Sequence, residues 1–322
     1  MENVKATRDS FGEVLVDLGR KNSKIVVLDA DLSESTRTIM FKREFPERFF
    51  DCGIAECNMI GVGAGLATCG KIPFVASFAV FSVARAFEQI RNSVAYSNLN
   101  VKIVGSHSGL SAGQDGATHQ SFEDLSLMRS LPNMTVVCPC DHFETMAAVS
   151  AIVDMKGPVY LRLSKLEVGL VYDVSYLENF RLGKGVILKN GTDLILVATG
   201  IMVFTAMDVA KLLQQSGLSV GVVNIHTLKP FDEELILQLA YRTKLIVCLE
   251  EHSVIGGLGD AVCGAVCSAG ILSRLIIKKI GLNDEFGQSG VVHDLLRHYC
   301  LDVAGVLQKV KAFVKQFLNI EV

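Results

Sequence analysis

Apolar runs the length of single strands alternate with segments of helical period along most of this chain, and no other feature limits its fold so much. KIVVLDADL (24–32), PFVASF (73–78), VKIVGSH (101–107), TVVCPC (135–140) and VYLRL (159–163) read as strands that are apolar on both faces. Residues 5–20 read as an amphipathic helix with Phe11, Val14, Leu15 and Leu18 on one side, and VARAFEQIRNSVAYS, SFEDLSLMRSL and HFETMAAVSAIV as further helices. A strand with no polar face needs cover above and below, so the alternation predicts a parallel sheet with helices on both sides. The pattern lapses between 166 and 190, where FRLGKGVILKNG reads as a hairpin linker, and resumes with DLILVATG (193–200), SVGVVNI (219–225) and KLIVCLEE (244–251). The expected fold is therefore α/β, with two successive parallel-sheet domains at 1–170 and 191–322 and a linker at 171–190.

Within the first unit, FDCGIAECNMIGVGAGLA (50–67) stands out. A strand enters a turn at Cys52-Gly53, and the helix that follows opens on Glu56, a lone carboxylate in otherwise apolar, glycine-dense surroundings. A carboxylate half removed from water holds its proton more tightly and becomes able to share one near neutral pH. Gly61, Gly63 and Gly65 each weaken the helix by about 1 kcal/mol relative to alanine. They also let another backbone approach closely, so the segment reads as a site at an interface.

The chain has 322 residues, is 50% hydrophobic and has a mean hydropathy of +0.38. Either its core is large or apolar surface is buried against another chain. The net charge of −3 removes the electrostatic case for nucleic-acid or polybasic membrane binding. No apolar run is long enough to span a bilayer, and MENVKATRDS has no hydrophobic leader core. The nine cysteines lack metal-site spacing and read as small buried hydrophobes, which makes the cytoplasm the expected compartment. No metal site is expected on this chain.

Two glycine-rich turns invite ligands. GGLG (256–259) is only part of a dinucleotide fingerprint and reads as a tight strand-to-helix turn. The loop SHSGLSAGQDGATHQ, beyond the carboxyl end of a parallel strand, carries His107, Asp115 and His119 among Gly109, Gly113 and Gly116. These groups suit either metal binding or hydrogen bonding and proton transfer to a polar substrate; the spacing is not that of a zinc site, which favours the second. Phe78 and Phe81 read as core, or as a platform for a flat heterocycle.

Taken as a set, GIAE with its glycine-rich helix, the two phenylalanines about 25 residues on, SHSGLSAGQDGATHQ, RSLPNM and PCD resemble the C-terminal half of transketolase, and most closely the split transketolases made as two polypeptides. The resemblance covers nearly the whole chain. It implies a pyrimidine-binding domain followed by a transketolase C-terminal domain, and thiamine diphosphate with Mg²⁺ as cofactors. By resemblance, Glu56 touches N1′ of the aminopyrimidine and promotes loss of the proton from the thiazolium carbon. Phe81 stacks on the ring, Phe78 is its neighbour, and Asp31 is an acidic residue near the cofactor. His119 lies beside the donor's first carbons and Asp115 reads the adjacent hydroxyl. Arg8, Ser35 and His107 bind the far anionic end of the sugar, with Arg162 or Lys165 as a further basic group. His107 and His119 join Glu56 as expected catalytic residues.

The chain departs from the family in three ways. Ala84 stands where a tyrosine is common, and Lys165 where arginine is usual, so the anion is phosphate or another group such as sulfonate. The Gly-Asp-Gly segment and later asparagine that hold Mg²⁺ and diphosphate are absent. The resemblance thus implies an N-terminal partner subunit that carries them, in an α2β2 heterotetramer that transfers a two-carbon ketol unit from a ketose to an aldose. The alternatives are the β subunit of a 2-oxoacid dehydrogenase E1 component, a deoxyxylulose-phosphate synthase-like half-chain, a catalytically silent partner and a plain nicotinamide-binding protein.

Overall fold

The computed structural model describes residues 4–271 and 275–320, so the outermost residues of the expected domains lie outside the described residues. The strands are β1 (Lys5–Ala6), β2 (Ile25–Asp29), β3 (Phe49–Asp51), β4 (Ile72–Phe78), β5 (Lys102–Ser106), β6 (Thr135–Val137), β7 (Val159–Arg162), β8 (Glu167–Val168), β9 (Val186–Lys189), β10 (Leu194–Ala198), β11 (Val220–Asn224), β12 (Thr227–Lys229), β13 (Leu245–Ser253) and β14 (Ile276–Leu282). A seven-stranded sheet runs in the order β12-β6-β7-β5-β4-β2-β3 and a five-stranded one in the order β14-β13-β10-β11-β9. Within the first sheet every pairing is parallel except that of β12 with β6. The full burial of β2, β5, β6, β7, β10 and β11 is what their unbroken apolar runs required.

Three elements differ from the sequence reading. Val186–Lys189 is not half of a hairpin; it pairs antiparallel with β11 as the edge of the second sheet. An edge strand is only partly covered, so its sequence lacks a buried strand's apolar run. The strand β12 comes from the second half of the chain yet closes one edge of the first sheet. The first sheet thus draws a strand from the second half of the chain, and one hydrophobic cluster runs continuously from Leu28, Met59 and Ile103 to Val197, Val223 and Leu228. Finally, the helix expected over 83–97 is wound as two wide π turns, Val80–Arg85 and Ile90–Tyr96, around a short α turn, Phe87–Gln89.

Register brings the carboxyl ends of the first sheet together. Asp29 pairs with Ala76, Phe78 with Ser106, and Gly105 with Arg162. The segments leaving these ends carry the loop at 107–120 and the wide turn at 80–85, while β3 leads into helix Glu56–Thr68. Open parallel sheets bind ligands at this edge.

Candidate active site

Glu56 opens helix Glu56–Thr68 and is 2% exposed. Its position at the helix amino terminus favours negative charge. It is not the unpartnered carboxylate that its apolar surroundings suggested. Arg85, at the end of the wide turn, places Nη1 at 3.0 Å from Oε1 and 2.8 Å from Oε2. The sequence reading missed Arg85, because a π turn shifts side chains off the 3.6-residue period on which helical faces are read. Of the three glycines, Gly63 faces β4, where an added Cβ would meet Val75 at 2.7 Å. An added Cβ on Gly61 or Gly65 would meet nothing within 4 Å.

The guanidinium of Arg85 lies 4.8 Å from the centre of the Phe81 ring. Phe81 stacks on Phe78 at 5.9 Å and 11°, and His119 meets Phe81 edge-on at 5.2 Å. Phe78 in turn stacks on His107 at 3.9 Å. The two phenylalanines are thus a platform shared with both loop histidines, and contacts run unbroken from Glu56 through Arg85 and Phe81 to His119 and His107.

His107 occupies left-handed backbone (φ 54°) and is 2% exposed. Its Nε2 lies 3.0 Å from Arg8 Nη1 and its Nδ1 2.9 Å from Ser106 Oγ. Burial, reinforced by Arg8 and Lys165, pushes its pKa down to about 2. A guanidinium only donates, so Nε2 accepts and the proton sits on Nδ1, which donates to Ser106. Arg8 also donates to the Ser35 carbonyl at 3.0 Å, and its buried Nε makes no hydrogen bond. Ser35 therefore meets Arg8 through its backbone. Across the loop, Lys165 Nζ donates to the Ala112 carbonyl at 3.0 Å and to Asp115 Oδ2 at 3.4 Å.

The 107–120 loop is tied down from beneath. Gly109, Gly113 and Gly116 all have positive φ, as a tight fold requires. Gly109 also lies against Glu251 of β13, whose carboxyl carbon an added Cβ would meet at 2.6 Å. Glu251 Oε1 accepts from Ser111 N at 2.7 Å, and burial raises its pKa to about 7.

Arg162, expected to bind the anionic group, belongs to this support. It is 4% exposed; Nε donates to Asp124 Oδ2 at 2.8 Å, and Nη2 to the Glu251 carbonyl at 2.9 Å. Its Nε and Nη2 are thus taken up inside the fold. It is the last residue of β7 and points into the joint between the sheets, whereas Lys165 lies beyond the strand. Asp31 sits in left-handed backbone (φ 62°), its amide donating to Asp51 Oδ1 at 3.2 Å. The buried carboxylate at that end is Asp29, which accepts from Thr36 and Thr38 hydroxyls at 2.7 and 2.8 Å and fixes the turn bearing Ser35.

At GGLG, Glu250 accepts from the amides of Leu258 at 2.6 Å and Gly259 at 2.9 Å. The helix terminus where a dinucleotide phosphate would sit is thus filled by a side chain, as the tight-turn reading expects. Among the described residues no group of three His, Cys, Asp or Glu is placed to hold a metal, and no helix is long and apolar enough to cross a membrane.

Comparisons with known proteins point to one family. Residues 3–169 match the transketolase pyrimidine binding domain and residues 183–306 the transketolase C-terminal domain. A protein of Methanocaldococcus jannaschii, provisionally named a transketolase C-terminal section, is 46% identical over 97% of each chain. The 6-deoxy-6-sulfo-D-fructose transketolase subunit SqwH of Clostridium sp. is 42% identical, covering 94% of this chain and 92% of its own. A subunit of the apulose-4-phosphate transketolase of Phocaeicola vulgatus is 38% identical over 98% of this chain and 99% of its own. A solved structure described as a split gene transketolase, inactive beta4 tetramer, superposes with a TM-score of 0.86 at 45% identity, over 98% of this chain and 99% of that one.

Proposed function

This chain belongs to the transketolase family, and from that premise we propose that it is the C-terminal subunit of a split transketolase. It would move a two-carbon ketol unit from an anionic ketose to an aldose once joined to a subunit that holds diphosphate and Mg²⁺. The observation that carries this reading is the unbroken contact path from Glu56 through Arg85 to Phe81, and from there to His119 and, through Phe78, to His107.

The residues present fit an aminopyrimidine. A buried carboxylate stands beside a phenylalanine platform, and Gln89, one turn past Arg85, carries a buried Oε1 without a hydrogen-bond partner. A carboxylate within reach of a ring nitrogen holds the proton there, and an aromatic face fixes the ring's plane. When bound, thiamine diphosphate supplies the electron sink for breaking the ketose carbon–carbon bond. His119, at the platform edge, and Asp115 face the loop side where the sugar's first carbons would lie. Arg8, held by His107, and Lys165 provide two cations for the anion at its far end. Lys165 is a point charge without the arginine fork, so it suits phosphate and sulfonate alike; the sulfosugar and sugar-phosphate relatives support that breadth.

The partner reading rests on two features. The sequence contains no Gly-Asp-Gly segment, and a diphosphate-bound Mg²⁺ needs carboxylate and carbonyl ligands. The open face of helix Glu56–Thr68 at Gly61 and Gly65, beside the exposed Ile54, suits close approach of another chain. An α2β2 assembly in the cytoplasm completes the proposal.

Calorimetry tests the split. The chain alone should bind thiamine diphosphate poorly with Mg²⁺, and the chain mixed with a subunit carrying Gly-Asp-Gly should bind it and transfer two carbons between labelled sugars. Tight Mg²⁺-dependent binding to the chain alone would overturn the division of labour, and no transfer by the mixture would overturn the activity.

A further inference from the structure

We propose that Arg85 is a placeholder for the cofactor's aminopyrimidine, an inference that rests on the thiamine-diphosphate reading above. Its guanidinium is flat, donates to both oxygens of Glu56 and lies over the Phe81 ring. These are the two groups that an aminopyrimidine bound at this site would engage. Guanidinium resembles such a ring in being planar, able to stack and rich in N–H donors.

The two occupants exclude each other. With Nη1 at 3.0 and 2.8 Å from Oε1 and Oε2, neither oxygen can be approached along the carboxylate axis until Arg85 leaves. The burial of Glu56 also makes the arrangement useful. Glu56 is 2% exposed, and a buried carboxylate without a counter-charge weakens a fold. Arg85, with its side chain 50% exposed, neutralises Glu56 in the empty site and can swing into water when the cofactor arrives. It stands at the end of the wide turn Val80–Arg85, followed by Ala86 in the bridge region (φ −101°, ψ 19°), so its backbone is not locked into a regular helix.

The test uses this chain assembled with a diphosphate-binding subunit, titrated with thiamine diphosphate and Mg²⁺ in a calorimeter. Arg85→Ala should bind roughly tenfold more tightly than wild type, because no internal ligand has to be displaced. Arg85→Lys keeps the charge but not the plane and should fall between them. In the chain alone, Arg85→Ala should melt lower than wild type, because the buried Glu56 loses its counter-charge. Equal or weaker cofactor binding by Arg85→Ala would overturn the placeholder, because Arg85 would then be idle or would itself hold the cofactor. If neither protein binds thiamine diphosphate, the placeholder falls together with the transketolase reading. Weaker binding by the variant alone leaves that reading standing. A melting temperature unchanged in Arg85→Ala would likewise overturn the role given to Arg85 in neutralising Glu56.

Discussion

Nη1 of Arg8 donates to Nε2 of His107 at 3.0 Å, which makes this histidine an acceptor that positions a cation and not a cation itself. Its pKa, pushed down to about 2 by burial and by Arg8, keeps it neutral across the working range. The KM for an anionic ketose should therefore show no acidic limb from His107 between pH 5 and 8. His107→Gln, which keeps an acceptor for Arg8, should raise KM less than His107→Leu. A limb near the ordinary histidine pKa that disappears in His107→Gln would contradict the tautomer deduced here.

Lys165 bridges Asp115 and the Ala112 carbonyl, so it both offers charge and steadies the loop. Lys165→Ala should raise KM for anionic ketoses about ten- to a hundredfold, the worth of one charge-assisted contact. Because Asp115 loses its partner as well, a smaller fall in kcat should accompany it. His119→Ala should act mainly on kcat, since the proposed function puts it beside the reacting carbons. Steady-state kinetics with phosphorylated, sulfonated and neutral ketoses would separate the two subsites; the same kinetic pattern for both variants would merge them.

Glu56→Gln in the assembled enzyme should slow proton exchange at the cofactor's reactive carbon by roughly 10²–10⁴-fold, the usual worth of a placed acid–base group. Glutamine fills the same space but cannot hold the shared proton. Near-normal exchange, followed by deuterium incorporation, would reduce Glu56 to a structural role.

The joint between the sheets makes a prediction about stability. Asp124 is fully buried, and Arg162, with Tyr160, holds its carboxyl below the usual range despite the burial that pushes it up. A carboxylate with a lowered folded pKa adds stability above its unfolded pKa and loses it as pH falls through the folded value. Arg162→Met leaves that charge unpaired and should cost about 3–5 kcal/mol in urea unfolding. An unchanged KM for anionic ketoses, measured per folded molecule, would confirm that Arg162 supports the loop without touching substrate.

Much of this was legible in the sequence because it depended on local pattern. Unbroken apolar runs gave the parallel strands, and Glu56, the loop histidines and Phe78–Phe81 lay in short contiguous motifs. What escaped depended on distant pairing. β12 is three residues long and gains its place by pairing with β6, which no window of sequence contains. Arg85 met Glu56 only because a helix widened into π turns. Arg162 and Lys165 lie three residues apart in one motif, yet one is drawn into the interior by Asp124, 38 residues earlier, while the other stays at the mouth of the loop.

Glu251 anchors the ligand loop from the second sheet, and its pKa, raised to about 7 by burial, gives stability a definite pH dependence. An unfolded glutamate titrates near 4.3. Between that value and about 7 the folded chain keeps a proton that the unfolded chain has released, so stability falls as pH rises through this window and levels off above it. Glu250 and Glu144, also raised to about 7, act in the same direction. Glu251→Gln keeps an oxygen for the Ser111 amide but cannot ionise. The buried His226 and His252, held down to about 4, act in the opposite direction, so the test is the difference between the two proteins: the urea midpoint of Glu251→Gln should gain on that of wild type as pH rises from 5 to 7. The substitution should also raise KM little at pH 8, because the loop keeps its anchor. A pH profile parallel to that of wild type would mean that Glu251 stays ionised in the fold, and a large rise in KM would mean that its charge, and not only its hydrogen bond, holds the loop.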